Sequence, residues 1–250
     1  QLKRLMRIDA DTQDLFRASL LCLAFFVASE LSFVFSSNPA VFPVHSGIAF
    51  AGLVLLGEQY WPGIFFASLA SHFIHEMPPF LALALALGNS IQALTAASIL
   101  RSFDFKPSLR RMRDIFGLTI VALIASTIVP TVAAGAYVVH ELLGGVIPIN
   151  APTFDTFWIG HIFSLLIVSP FVIRWLAHPD FKRSRVEIIE IILAMSLLFG
   201  VFVFLFFTAI EQVRGIPLVY MIFPPLLWIA LRLGSRFMTL GLFCVSMIAL

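Results

Sequence analysis

Long apolar runs alternate with short polar breaks along the whole chain, and the runs predict transmembrane helices. Their predicted bounds are 15–37, 40–57, 63–77, 80–100, 115–139, 154–177, 186–210 and 216–231, with a further apolar run from position 237 onward. Because about 20 apolar residues cross a bilayer as a helix, the pattern predicts an all-α, polytopic transmembrane bundle of about 8–10 spans.

Several runs depart from a plain crossing helix. The second and third runs are short and joined by an aromatic and proline turn at 58–62, so a re-entrant helical pair is the alternative to two crossings. The fourth run is rich in alanine and carries Asn89 and Gln92, which is typical of an interior helix. Pro130, in the middle of the fifth run, predicts a kink there.

Composition agrees with the membrane class. The chain is 60% hydrophobic and only 12% charged, and its mean hydropathy is +1.00. A soluble body of 250 residues cannot hide that much apolar surface. We therefore expect the lipid bilayer to be its main partner and expect no nucleic acid.

The positions of the basic residues indicate orientation. If the N-terminus is cytoplasmic, every Lys and Arg of the sixteen except Arg214 falls on the cytoplasmic side. Such segregation is what the positive-inside rule describes. We therefore expect residues 1–14 to be a cytoplasmic lead-in and residues 15–250 to form one transmembrane domain, with a final span that is cut short.

Histidines concentrate on the opposite, outer side. Only His178 lies in a basic loop; the outer histidines are His45, His72, His75, His140 and His161. Glu30 lies in the outward part of the first run, where an unpaired carboxylate is costly. His72 and His75 are three residues apart, which puts both rings on one helix face.

We predict that a subset of these imidazoles binds a metal or a metal-centred cofactor. The predicted ligands are His45, His72, His75 and His161, supported by Glu30, Asn89, Gln92 and His140. For His140 alone, the ordinary interpretation is an interfacial residue at the end of a helix. Two imidazoles facing each other across an apolar gap suit haem b, whereas a compact cluster of three or four suits zinc or copper. The third alternative is a protonation switch that needs no cofactor.

Motifs for catalysis are missing from these residues. There is no phosphate-binding Walker loop, no G-x-S-x-G and no H-E-x-x-H. Whether the chain contributes to an enzyme therefore stays open at this point. The rivals to a sensor are a membrane transporter and a membrane haem electron-transfer protein, although no internal repeat is evident.

Three stretches resemble the bacterial membrane-associated sensor domain of the first type. They are FPVHSGIAFAGLVLLGEQYWPGIFFASLASHF at 42–73, ALGNSIQALTAASILRSFDFKPSLRRMRDIFGL at 86–118 and FWIGHIFSLLIVSPFVIRWL at 157–176. The resemblance implies an input module of a histidine kinase or of an enzyme of cyclic diguanylate turnover, such as a diguanylate cyclase. It further implies a multi-pass position in the bacterial inner membrane, a cytoplasmic output domain missing from these residues, and a homodimer.

The sequence departs from the usual pattern of that family at several polar positions. His45 and Ser46 stand where a small residue or proline is more usual, and His72 stands where asparagine is usual. His161 replaces an acidic residue, and Gln92 stands where glutamate is common. Three departures that introduce histidine on one side favour a shared role for them.

Overall fold

The computed structural model describes residues 2–35, 41–109, 111–147, 151–177, 184–207 and 218–248, with side chains described except at 2–11, 35, 206–207, 218–219 and 248. These ranges contain no strand, which confirms the all-α prediction. The α-helices are α1 (Leu2–Phe35), α2 (Val44–Leu56), α3 (Trp61–Ile74), α4 (Pro79–Ser102), α5 (Met112–Ala125), α6 (Ile128–Leu142), α7 (Phe154–Phe163), α8 (Ser169–Ala177), α9 (Arg185–Phe207), α10 (Phe223–Trp228) and α11 (Ser235–Ile248).

Five helical stretches of the described chain are long and apolar enough to cross a membrane. They are Thr12–Val34, Pro79–Ser102, Met112–Leu142, Phe154–Ala177 and Arg185–Leu205. Shorter apolar helices occupy Val44–Leu56, Tyr220–Leu233 and Ser235–Met247. The chain is therefore a polytopic transmembrane helical bundle, as predicted.

Helices α2 and α3 are joined by the short turn Glu58–Tyr60, and both pack on α1 and α4 rather than on each other. They have 13 and 14 residues, so each rises only about 20 Å, less than the ~30 Å hydrocarbon layer. Helix α2 begins at Val44 because Pro43 occupies its N-cap position. These lengths favour the re-entrant alternative over two full crossings.

The fifth predicted span is broken, as its proline predicts. Helix α5 ends at Ala125 and α6 begins at Ile128. Pro130 has no N–H to donate to the carbonyl of Ser126, four residues earlier, so the regular ladder fails there. The interruption lies one turn before Pro130.

Helix α4 is the interior helix of the bundle. In its apolar window 61% of residues are buried, against 22% in α9. It packs against α2, α3, α5 and α6, and its alanines let these neighbours approach closely. The interior position predicted from composition is confirmed.

Side-chain contacts gather the arginine-bearing segments at one end of the bundle, here called the arginine end. Tyr60 Oη donates to Asp14 at 2.6 Å, and Arg101 lies 3.4 Å from Glu58. These contacts join the start of α1, the turn after α2 and the end of α4. Arg174 of α8 donates to Ser235 at the start of α11 over 3.1 Å, and Ser235 Oγ donates to the carbonyl of Ser108, in the loop after α4, at 3.4 Å. That corner therefore lies at the same end.

A buried carboxylate fastens the loop before α5 at the arginine end. Arg111 donates from Nε and Nη2 to the two oxygens of Asp114, at 2.9 and 2.7 Å, and the Lys106 N–H donates to the same carboxylate. The Asp114 side chain is fully buried. The loop therefore depends on a charged acceptor that water does not reach.

Asp114→Asn is expected to lower the midpoint of thermal unfolding by several degrees, because a neutral amide cannot accept both guanidinium bonds. Asp104→Asn is the control, since that side chain is 78% exposed and pairs with Arg113 and, at 3.6 Å, with Arg111 at the surface, where ion pairs contribute little. Thermal unfolding of the purified chain followed by tryptophan fluorescence measures both. Equal stability of the two variants would contradict the role given to Asp114.

Candidate functional site

The first turn of α2 carries the centre of a buried polar cluster, which we call the histidine junction and define as His45, Ser46, Gln92 and His161. Gln92 of α4 donates from Nε2 to Ser46 Oγ over 2.8 Å, and Ser46 Oγ lies 3.0 Å from His161 Nδ1 of α7. Gln92 and His161 are only 2% and 1% exposed. One hydroxyl therefore connects three helices that are distant in sequence.

His45 adds a second imidazole to the histidine junction. Its ring centre lies 6.4 Å from that of His161, with the planes nearly perpendicular, and Phe25 of α1 packs edge-on against it at 5.0 Å. His45 Nδ1 and Gln92 Oε1 are buried and have no hydrogen-bond partner among the residues that the structure describes. Because buried polar atoms are rarely left unpaired, these two are candidate ligand contacts.

Next to the junction, α2 touches the α7–α8 stretch backbone to backbone. Residues Ser164–Val168, between α7 and α8, form a π-helical segment. Ser164 Oγ donates to the carbonyl of Pro43 at 2.7 Å and accepts from the N–H of Gly47 at 2.9 Å. A Cβ on Gly47 would lie 2.5 Å from the Ser164 carbonyl oxygen, so only glycine allows this approach.

A second polar group, the Glu30 cluster, lies between the far ends of α1 and α3 and consists of Ser29, Glu30, Ser71 and His75. His75 Nε2 lies 3.0 Å from Glu30 Oε2, and Ser71 Oγ donates to Glu30 Oε1 at 2.7 Å. Ser29 Oγ lies 2.9 Å from Ser71 Oγ, and the Phe33 ring stacks on His75 at 3.6 Å. The carboxylate that is costly to leave alone in a membrane is thus partnered, as expected.

His72 lies between these two groups but is turned toward its own helix. Its Nδ1 is 2.6 Å from the carbonyl oxygen of Ser68, one turn earlier. Asn89 of α4 donates to Ser68 Oγ over 3.0 Å. His72 and His75, which share a helix face by spacing, therefore have different partners.

Of the four histidines predicted as ligands, the structure brings His45 and His161 together, with Gln92 beside them. His140 lies in the last turn of α6, and no hydrogen bond or ring contact between described residues joins it to the other imidazoles. His178 lies outside the described residues. In the described ranges, no three His, Cys, Asp or Glu side chains come close enough to hold one metal ion, so the compact cluster of three or four imidazoles is absent there.

The cofactors predicted from the sequence stay predictions. A haem needs a slot as wide as its macrocycle between two axial imidazoles, and the ring centres of His45 and His161 are 6.4 Å apart. That distance alone does not distinguish haem b from a single zinc or copper ion, so the choice between them is made by experiment.

Sequence reasoning missed the serines that connect the site. The connecting residues are Ser29, Ser46, Ser68, Ser71 and Ser164, all at most 6% exposed. A signal for them exists, because a hydroxyl inside an apolar helix must bond either to its own backbone or to a neighbouring helix. Ser90 and Ser169 bond to their own backbone. The position of a serine in the sequence therefore does not tell whether it bonds within its helix or to a neighbouring one.

These features define an integral membrane protein whose helices enclose a polar site, a placement typical of functional residues within a bilayer. A family model described as MASE1 matches residues 15–250, so the chain belongs to the MASE1 family of membrane-associated sensory domains. The resemblance drawn from the sequence is thereby confirmed. Neither a curated protein nor a solved structure matches the chain.

Proposed function

We propose that this domain detects a stimulus on the outer side of the bacterial inner membrane and controls a cytoplasmic output, either a histidine kinase or an enzyme of cyclic diguanylate turnover. The positive-inside rule supports the orientation, because the arginine end would then face the cytoplasm together with the N-terminus. Cysteine labelling from outside intact cells tests this at two positions. Glu141→Cys is expected to react, and Glu58→Cys is expected to be protected.

The observation that carries the proposal is the single hydroxyl of Ser46 connecting α2, α4 and α7. Any stimulus that changes this contact changes how three helices pack. A two-state sensor needs a stimulus that binds the two packings differently, and a coupling of ~1–3 kcal/mol is enough. The interrupted α5–α6 and α7–α8 stretches are the parts that can shift most easily, since helix interruptions accompany functional movement.

Ser46→Val is expected to change the basal output at least about five-fold in either direction. Valine fills the space but gives Gln92 no acceptor and His161 no partner. The measurement is the cellular cyclic diguanylate level, with a diguanylate cyclase domain joined after position 250 through one added transmembrane helix. The added helix is needed because α11 begins at the arginine end, and it returns the chain to the cytoplasmic side. Thr119→Val is the control, because its hydroxyl is exposed on α5 and donates only to its own helix, to Ile115.

If Ser46→Val and Thr119→Val give the same output at equal protein level, the histidine junction has no part in signalling. The result also separates sensing from transport, which is the second candidate because discontinuous helices are common in transporters. Zinc or copper flux into vesicles holding this chain alone, with no change of output in the fusion, would favour transport. An electron-transfer role depends on haem, and a Soret band in the optical spectrum of the purified protein would support it. The homodimer stays a prediction, to be tested by crosslinking in membranes.

A further inference from the structure

We propose that the histidine junction binds one transition-metal cation of the class that imidazole prefers, zinc or copper, through His45 and His161 with Gln92 Oε1 as a third donor. The bound metal would be the stimulus of the proposed sensor, and this role rests on the proposed function. Binding itself is a separate claim. The donors are two imidazoles and an amide, which is why no trio of His, Cys, Asp or Glu marks the site.

The separation of the two rings suits a shared ion. A metal lies about 2.0–2.1 Å from an imidazole nitrogen, and the ring centre is about 1.2 Å further. Two rings on one ion therefore have centres about 6.5 Å apart in a linear arrangement and about 5 Å apart in a tetrahedral one. The observed 6.4 Å fits a linear two-imidazole ion as it stands and a tetrahedral one after a closure of about 1 Å.

The unpaired atoms of the junction are lone-pair donors. His45 Nδ1 and Gln92 Oε1 both lack a partner among the described residues. A nitrogen of a neutral imidazole and an amide oxygen both coordinate cations, and no hydrogen bond joins these two atoms to each other. A single cation bound to both would give each of them a partner.

The contacts around Ser46 resemble the outer shell of a metal site. Metal-binding histidines usually engage their second nitrogen in a hydrogen bond that fixes the ring. His161 Nδ1 is engaged by Ser46, which is itself held by Gln92 Nε2. Nε2 of His161 is then the nitrogen left for an ion, and the ring is already oriented.

Charge favours entry of a cation from the end opposite the arginines. Glu30 lies there in the Glu30 cluster, and the other acidic groups at that end, Glu76, Glu141 and Asp155, are exposed. Among the described residues the lysines and arginines lie toward the arginine end. Acidic groups at an opening raise the local concentration of cations.

The test is metal binding to the purified, chelator-stripped chain in nanodiscs, carrying no polyhistidine tag. Zinc(II), and copper(I) under reducing conditions, are titrated separately, and bound metal is counted by elemental analysis after desalting. We expect one ion per chain for one of the two metals. His45→Ala and His161→Ala are expected to weaken binding at least about 100-fold, and Gln92→Leu about 10-fold.

His140→Ala is the matched control, because it removes an imidazole from the same end of the bundle and leaves the junction intact. Gln92→Glu guards against loss through misfolding, since a carboxylate at the same place is a stronger ligand and is expected to tighten binding. No ion bound by the parent chain, or binding that survives both His45→Ala and His161→Ala, overturns the proposal.

The two proposals fail separately. If metal binding needs His45 and His161 but the fused output does not respond to the metal, the metal site is supported and the metal is not the stimulus. An output that responds to Ser46→Val while the parent binds neither metal removes the metal site and leaves the sensor.

Discussion

Replacing Gly47 by alanine is expected to prevent the normal docking of α2 and to lower the stability of the domain. The same replacement at Gly135 is not expected to do so. At Gly47 the new Cβ would lie 2.5 Å from a backbone oxygen of Ser164 and 2.6 Å from the Cβ of Val168. Neither atom can swing away as the end of a flexible side chain does, so whole helices must separate. Overpacking of this kind costs about 1–3 kcal/mol or more, and Gly47→Leu is expected to yield no monodisperse protein.

Gly135→Ala is the matched control for Gly47→Ala. Gly135 is also a helical glycine, in α6, but a Cβ added there meets nothing within 4 Å. Alanine favours helix over glycine by about 1 kcal/mol, so this variant is expected to be neutral or slightly stabilised. Both are compared by thermal unfolding in the same detergent. If Gly47→Ala and Gly135→Ala unfold at the same temperature, the backbone contact beside the junction is not tight.

Hydropathy predicts the long helices well, because lipid admits only segments whose backbone polar groups are satisfied internally. The run predicted at 154–177 coincides with the stretch Phe154–Ala177, and α4 differs from its predicted bounds by at most two residues. Local departures have local causes. Helix α2 starts later than predicted because of Pro43, and the π-helical segment Ser164–Val168 has no signature in a uniformly apolar run.

The sequence predicts how deep in the membrane the site residues lie, but not which neighbouring helix each of them faces. His45 and His161 were expected at the same level because orientation sorts residues by distance from the basic loops. Which face each helix turns inward follows from amphipathic phase, and a helix that is apolar all round has none. The sequence therefore could not tell that His161 meets Ser46 while His72 turns back to Ser68.

Ser164→Ala is expected to lower the stability of the domain by about 1–3 kcal/mol, because buried backbone groups lose a hydrogen-bond partner. The hydroxyl stands between the Pro43 carbonyl and the Gly47 N–H, at the point where α2 begins inside the bundle. Without it, the Gly47 N–H must either stay unpaired or turn to the Pro43 carbonyl, which already accepts from the Ser46 N–H at 2.9 Å, and so tighten the first turn. Either change moves His45 and Ser46, so the output of the cyclase fusion is expected to shift as well.

Ser169→Ala is the control on the same stretch of chain. Both serines are fully buried. Ser169, however, donates only to the carbonyl of Leu165 in its own stretch, so this hydrogen bond does not position another helix. We expect Ser169→Ala to change stability by less than about 1 kcal/mol and to leave the output unaltered. Denaturant unfolding in mixed micelles and the cyclic diguanylate level measure the two effects. If Ser164→Ala lowers the stability as little as Ser169→Ala and leaves the output unaltered, the hydrogen bonds of Ser164 do not hold α2 in place. The contact between α2 and the π-helical segment then has no part in signalling.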